Sequence, residues 1–214
     1  MTFCPPDGNC TLCPRLVQFR LQNKQKFPTY HNGPVESFGS LGAQILVVGM
    51  APGLNGANQT NRPFTNDYAG DVLYPALKNF GFARGNYQKR KDDGFELINV
   101  RVTNAVRCVP PQNKVCSDEA KTCGNFLSAE IKAMPNLKII LSLGVVSHNA
   151  VLRVLGLKQS AYKFAHGAIH NLGNGLTLID SYHTSRYNIN TGVLTYAMFD
   201  EIILKIKNLT EQLC

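Results

Sequence analysis

Residues 44–49 read QILVVG, a short apolar run that ends in glycine, and this stretch decides the fold of the 214-residue chain. A run of this kind is typical of a strand that is buried on both faces of a parallel sheet. A glycine-rich loop follows as far as Gly70, and apolar residues at helical spacing across positions 71–80 then predict a helix that ends at Gly81. A strand, a long loop and a helix are the opening pattern of an α/β domain.

The same alternation continues toward the carboxyl end of the chain. Further strands are predicted at 95–106, 138–143 and 176–181, and further helices at 117–134, 147–155 and 191–209. Four strands that alternate with helices predict an α/β fold, a three-layer α/β/α sandwich around a central, mostly parallel, four-stranded sheet. We expect residues 1–40 and 81–94 to have little regular structure, and the whole chain, 1–214, to form a single domain.

Composition and charge narrow the class of protein. The 22 Lys and Arg residues exceed the 14 Asp and Glu residues, and the resulting net charge of +8 would attract a polyanion such as nucleic acid. No apolar stretch is long enough to span a bilayer, and residues 1–13 contain neither a basic leader nor an apolar run. We therefore expect an intracellular protein, cytoplasmic or close to the genome, that is not secreted and has no membrane partner.

The seven cysteines are better explained by metal or cluster ligation than by disulfides, because reducing compartments do not sustain disulfides. Cys10 and Cys13 form a closely spaced pair, Cys108 follows the second predicted strand, and Cys123 lies on the next helix. Four such thiolates could bind either a tetrahedral zinc ion or a 4Fe-4S cluster. The second pair is fifteen residues apart and is interrupted by Cys116, unlike the two tight pairs of a zinc ribbon. This spacing favours the iron–sulfur cluster and leaves zinc as the alternative.

Ligands of an open parallel sheet bind where loops leave the carboxyl ends of the strands, so the loops at 50–70, 104–112 and 182–190 should converge. These loops contain most of the unusual sequence: GMAPGLNGANQTNRPFTND at 49–67, TNAVRCVPP at 103–111 and SYHTSRYNINTGVLT at 181–195. Taken together, these segments resemble the uracil-DNA glycosylase superfamily, and most of all family 5, an iron–sulfur class close to family 4. The resemblance extends in order from Cys10 to about Phe199.

The resemblance implies a base-excision repair enzyme that hydrolyses the N-glycosidic bond of uracil in DNA, and of other deaminated bases such as hypoxanthine or xanthine. It also implies that Cys10, Cys13, Cys108 and Cys123 ligate the cluster. In family 4 the residue after the first glycine of the motif is an acid that positions water. Here that residue is Met50, which excludes a direct copy of the family 4 mechanism.

Cleavage of an N-glycosidic bond leaves positive charge on the sugar and negative charge on the departing base, and the site must stabilise both. By resemblance, His183 donates a hydrogen bond to the base as it becomes an anion, and Asn58 orients the attacking water. Asn58 could equally be a simple turn residue, since asparagine favours turns. Asp67 and Asp71 are alternative acids, although Asp71 is better explained as a helix cap.

The resemblance also assigns the substrate contacts. Phe64 would stack on the flipped base, and Asn104 would offer its amide to the pairing edge of uracil. Close backbone or side-chain contacts are implied for Gly49, Met50, Ala51, Pro52, Gly53 and Ser181. Ser185, Arg186 and Tyr187 lie in a segment that resembles a minor-groove insertion loop and would bind DNA.

The matched loops contain no lysine that could form a Schiff base, so the expected enzyme is monofunctional and uses water as the nucleophile. Its expected partner is single- or double-stranded DNA containing a deaminated base, and we expect a monomer. Met50 and the amide of Asn58 motivate one alternative, a non-catalytic nucleic-acid-binding protein that retains the fold together with an iron–sulfur cluster or a zinc ion.

Overall fold

The structure, a computed structural model, describes residues 3–212. Within these residues, α-helices span Pro14–Lys26 (α1), Ala57–Thr60 (α2), Tyr68–Asn79 (α3), Ser117–Lys132 (α4), Val145–Val154 (α5), Arg186–Asn190 (α6) and Tyr196–Gln212 (α7). The strands span Ile45–Gly49 (β1), Ala83–Arg84 (β2), Glu96–Leu97 (β3), Val100–Asn104 (β4), Ile139–Leu143 (β5), Ile169–Asn171 (β6) and Thr177–Ser181 (β7). Helices and strands alternate along the chain as predicted.

The central sheet has the strand order β4-β1-β5-β7-β6 and confirms the three-layer α/β/α sandwich. The first four of these strands are parallel, whereas β6 pairs with β7 in the antiparallel direction. The prediction of four strands missed β6. This strand has only three residues on an exposed edge, and half of the Ile169 side chain is solvent-exposed, so it has no apolar run.

The single strand predicted at 95–106 is divided in two by Asn99. This residue adopts a left-handed backbone with a φ of 57°, and its side chain hydrogen-bonds both the main chain and the side chain of Gln44. The break leaves β4 in the central sheet and lets β3 pair with β2 as a separate two-stranded ribbon. The segment 81–94 is therefore partly ordered by this ribbon.

The amino-terminal region also departs from the prediction, because α1 lies within the first forty residues. This helix is largely polar and buries only Leu16, Arg20 and Asn23, so it shows no apolar periodicity. Arg15 holds it to α4 through two hydrogen bonds of 2.7 Å to the carboxylate of Glu119. The first forty residues are thus attached to the sandwich by charge as well as by apolar contacts.

Two apolar clusters fill the sandwich, one on each face of the sheet. Residues of α3 and α7 pack on one face, and residues of α4 and α5 pack on the other. The helix predicted at 191–209 begins later, at Tyr196, because Thr191 ends α6 and Gly192 has a φ of 73°. None of the helices between residues 3 and 212 is both long and apolar enough to cross a membrane.

Candidate active site

A cavity of about 590 Å³ opens at the carboxyl ends of the parallel strands, a size ordinary for a small-molecule site. Nine of the residues predicted from sequence line it: Met50, Ala51, Pro52, Gly53, Phe64, Asn104, His183, Ser185 and Arg186. The three loops therefore converge, as the parallel topology requires.

Gly49 lies directly behind the wall of the cavity. A methyl group at this position would lie 2.5 Å from Oδ1 of Asn104 and 2.5 Å from Cζ of Phe64. Asn104 occupies the end of the neighbouring strand, opposite Gly49 in the β1–β4 register. The absence of a side chain at Gly49 is what allows an aromatic ring and an amide to meet here.

Phe64 holds its ring in the cavity with a left-handed backbone, at a φ of 57°. This conformation is costly for a bulky residue and persists only where its surroundings fix it. The hydroxyl of Tyr87 donates to the Phe64 carbonyl at 3.3 Å, and the Tyr74 hydroxyl donates to the preceding carbonyl of Pro63. A side chain at Gly70 would overlap the Phe64 carbonyl oxygen. The ring is therefore positioned by the whole loop.

His183 faces the same cavity, with its ring centre 6.4 Å from that of Phe64 and the two rings inclined by 29°. Burial lowers the pKa of His183, so the neutral imidazole is favoured. Its main-chain carbonyl accepts a 2.8 Å hydrogen bond from Asn188, whose own N–H donates to the Ser185 hydroxyl that caps α6. A neutral ring held in this way can donate an N–H to a substrate oxygen without adding a charge to the site.

Asp67 also lines the cavity and occupies the N-cap position of α3. Its carboxylate accepts the main-chain N–H of Ala57 at 3.3 Å, and burial raises its pKa. Side chains at Gly53 or Gly56 would collide with this carboxylate. The sequence analysis predicted Asp67 only as an alternative acid. The proposed cap Asp71 instead lies within α3 and pairs with Lys89 at 2.9 Å.

Asn58, Ser181 and Tyr187 lie outside the cavity lining. Asn58 is 1% exposed and donates its amide to Oδ1 of Asn32 at 3.0 Å, so it ties α2 to a neighbouring loop. Ser181 is fully buried and donates to the carbonyl of Tyr182 at 2.9 Å. Tyr187 is 73% exposed on α6. The structure therefore brings Asp67, and not Asn58, to the cavity.

The cavity lining also contains residues that the sequence reasoning missed, namely Tyr68, Ala69, Pro110, Asn113, Leu143, Gly144, Val145 and Val146. Val145 and Val146 begin α5, and the N–H groups in the first turn of a helix have no partner within the helix. Such donors favour negative charge nearby. The sequence predicted that this helix begins at residue 147, so Val145 and Val146 were not recognised as its first residues.

The four predicted ligand cysteines meet in a second, smaller cavity between α1 and α4. The Cys123 sulfur accepts the main-chain N–H of Arg107 at 3.3 Å. Burial and the neighbouring thiols raise the pKa of Cys13 to about 11 and that of Cys108 to about 12. Cys116 is exposed and lies at the N-cap of α4, apart from this group.

The spacing of these sulfurs bears on what they can bind. Zn–S bonds of 2.3 Å in a tetrahedron would place the sulfurs about 3.8 Å apart. Between residues 3 and 212, no three of the four sulfurs lie within 4.8 Å of one another. The thiols are therefore more widely spaced than the ligands of a single zinc ion.

Two of the remaining histidines form a separate buried cluster. His148 Nδ1 lies 2.8 Å from one carboxylate oxygen of Asp180, and His170 Nε2 lies 3.0 Å from the other. Ser142 donates to the same carboxylate at 2.6 Å. This group joins β5, β6, β7 and α5 beneath the cavity, in keeping with a structural role for both histidines.

Comparisons with known proteins agree with the geometry. The chain matches the model of the uracil DNA glycosylase superfamily over residues 36–207. It is 40% identical over 205 residues to a type-5 uracil-DNA glycosylase of Thermus thermophilus, covering 94% of this chain and 93% of the relative. It is 37% identical over 199 residues to the type-5 uracil-DNA glycosylase of Pyrobaculum aerophilum, covering 91% and 86%. A type-4 uracil-DNA glycosylase of Thermotoga maritima is 32% identical over 148 residues, covering 69% and 67%.

Proposed function

The chain belongs to the uracil DNA glycosylase superfamily, and we propose that it is a type-5 uracil-DNA glycosylase that removes uracil from DNA in the cavity at the strand ends. One observation carries this proposal. Phe64 and Asp67, Asn104, and His183 come from three separate segments of the chain and line one cavity. An aromatic ring, an amide, a neutral imidazole and a carboxylate are together what hydrolysis of an N-glycosidic bond requires.

Recognition of the base begins with stacking. The Phe64 ring provides a flat apolar surface for an extruded base, and the Asn104 amide supplies the donor and the acceptor that match its pairing edge. The absence of a side chain at Gly49 leaves the space that both groups occupy. A pyrimidine is thus bound by stacking and by hydrogen bonds before any bond breaks.

The departing base becomes an anion, and His183 stabilises it. A neutral imidazole N–H that donates to the carbonyl oxygen of the base gains strength as negative charge develops there. Lowering of the His183 pKa by burial keeps the ring in this neutral form. The first turn of α5, whose N-cap Gly144 lies beside His183, adds a dipole that favours negative charge in the cavity.

Asp67 is the group best placed to orient water and to stabilise the sugar cation. Asp67 lines the cavity, whereas Asn58 lies outside the lining and donates its amide to Asn32. Asn58 then acts indirectly, because it holds α2, whose Ala57 N–H contacts the Asp67 carboxylate. No lysine lines the cavity, which favours a monofunctional enzyme with water as the nucleophile.

DNA is bound at the mouth of the cavity. Ser185 and Arg186 lie on the cavity lining and can reach phosphate oxygens, while exposed Tyr187 can enter the duplex as a wedge. The net charge of +8 supports attraction of the polyanion. We propose that the enzyme acts as a monomer, within the cell where the genome lies, and that it accepts hypoxanthine and xanthine as well as uracil.

We further propose that Cys10, Cys13, Cys108 and Cys123 hold a 4Fe-4S cluster. The wide spacing of the thiols supports this assignment over zinc. The cluster would supply structural cross-linking between α1 and the β4 side of the sheet. Between residues 3 and 212, the linings of the cysteine cavity and of the base-binding cavity share no residue.

The activity is tested with matched oligonucleotides that contain uracil, hypoxanthine or xanthine, scored for alkali-labile abasic sites. We expect cleavage at uracil by the parent, a loss of about 100- to 1,000-fold in His183→Ala, and none in the control Glu211→Ala. Glu211 is exposed near the carboxyl end of α7 and does not line the cavity. A parent protein that yields no abasic site at any lesion would refute the glycosylase assignment and favour a binding protein.

The cluster is tested separately on purified protein. A brown colour, visible absorption and about four irons per chain are expected, all of which Cys123→Ser should reduce. Colourless protein that contains one zinc ion would refute the iron–sulfur assignment and leave the glycosylase assignment untouched.

A further inference from the structure

Three side chains meet beside the mouth of the cavity, at the first residues of α3, α6 and α7. The hydroxyl groups of Tyr68 and Tyr196 lie 3.2 Å apart, and the guanidinium carbon of Arg186 lies 5.2 Å from the centre of the Tyr68 ring. Tyr68 and Arg186 line the cavity, and Tyr196 is 53% exposed. We call these three residues the tyrosine platform.

Arg186 is held by the Tyr68 ring alone. Its guanidinium takes part in none of the salt bridges or side-chain hydrogen bonds found between residues 3 and 212. A cation–π contact at an exposed site is weak, whereas a guanidinium binds phosphate through strong, often bidentate, hydrogen bonds. Arg186 can therefore move to a phosphate at little cost, and this movement uncovers the face of the Tyr68 ring.

The position of Tyr68 indicates what would stack on it. Tyr68 directly follows Asp67, and both residues line the cavity proposed to receive the extruded nucleotide. The next nucleotide of the same strand must pass over the rim of the cavity, where it has lost its neighbour in the stack. An aromatic ring is a suitable replacement partner, because every base presents a flat face. The bond to Tyr196 limits rotation of this ring.

We propose that Tyr68, held by Tyr196, stacks on the nucleotide adjacent to the extruded base, while Arg186 leaves the ring to bind the phosphate between the two nucleotides. This proposal rests on the proposed glycosylase function and defines its substrate more closely. Because a neighbouring nucleotide is present with or without a second strand, the platform serves single-stranded DNA as well as duplex.

The test is a binding experiment that needs no turnover. The probe is a single-stranded oligonucleotide with a tetrahydrofuran abasic analogue and the fluorescent base 2-aminopurine on its 5′ or 3′ side. Stacking on Tyr68 should quench the emission on one of the two sides. Tyr68→Leu should abolish this quenching and weaken binding by about 5- to 150-fold. Tyr68→Phe retains the ring and should retain the quenching.

A matched control and a second variant separate the proposal from a general loss of structure. Phe80→Leu removes a ring from the other end of α3, about 18 Å away along the helix, and should leave the quenching intact. Arg186→Gln should keep the quenching and reduce the salt dependence of binding by about one charge. Thermal unfolding of each variant verifies that it is folded.

Equal quenching and affinity in the parent and in folded Tyr68→Leu would overturn the stacking role. An unchanged salt dependence in Arg186→Gln would overturn the phosphate role. Failure of the proposed function has a different signature, because a parent that releases no uracil can still bind and quench the abasic probe.

Discussion

Replacement of Gly49 by alanine tests whether the cavity binds its base through Phe64 and Asn104, which both border the space left by the missing side chain of Gly49. The added methyl group would lie 2.5 Å from an atom of each side chain, whereas ordinary contact begins at 3.4 Å. Each side chain must therefore move by about 0.9 Å, and a misplacement of about 1 Å near reacting groups can reduce the rate about 100-fold. We expect kcat/KM on uracil to fall by about this factor, which corresponds to ~2.7 kcal/mol.

The assay is single-turnover release of uracil from an oligonucleotide, with thermal unfolding measured on the same preparations. Gly49 does not need a positive φ, so alanine is compatible with its strand backbone and the variant should fold. Gly8→Ala is the matched control, because a methyl group there would meet no atom within 4 Å. A folded Gly49→Ala protein with the rate of the parent would refute the assigned contact between ring, amide and base.

Three further predictions concern the ionisable side chains of Asp67, His183 and Glu130. Burial raises the pKa of Asp67, so its protonated form stabilises the folded state at low pH, and this stabilisation is lost as the pH rises through the folded pKa. At pH 7 the Asp67→Asn variant should therefore unfold at a temperature no lower than that of the parent. It should nevertheless release uracil about 100-fold more slowly. The acid limb that remains in the pH–rate profile of Asp67→Asn should have an apparent pKa below 6.5, the usual pKa of histidine, because burial lowers the pKa of His183. An apparent pKa at or above 6.5 would contradict a neutral His183. Glu130→Gln should lower the free energy of unfolding by about 3–5 kcal/mol in denaturant titrations, because it removes the buried carboxylate that pairs with Arg101 and Arg107. An effect below about 1 kcal/mol, the size expected for an exposed ion pair, would refute that reasoning.

The central sheet could be predicted because burial on both faces leaves a continuous apolar run, as in β1 and β5. The convergence of the loops followed from the same topology, since parallel strands end at one edge. The weakly apolar elements could not be predicted in this way. Helix α1 is held by the ion pair of Arg15 with Glu119, 104 residues away, and β6 is recognisable only from its pairing with β7.

The candidate site shows the same limit. His183, Phe64 and Asn104 were identified through resemblance, and the structure places them together in one cavity. The choice between Asn58 and Asp67 could not be made from sequence, because it depends on which side chain Asn32 engages across 26 positions. Sequence alone also gives no reason for Tyr68 to meet Tyr196, since these residues are 128 positions apart.

Four glycines that border Phe64 or Asp67 constrain how this enzyme can diversify. At Gly49, Gly53, Gly56 and Gly70, an added methyl group would come within 2.5 Å or less of a neighbouring atom. Replacement of any of these four glycines is therefore disfavoured. Relatives that prefer a different damaged base are therefore expected to differ at other lining positions. Val145 and Val146, the half-exposed residues that begin α5, have space for such substitutions.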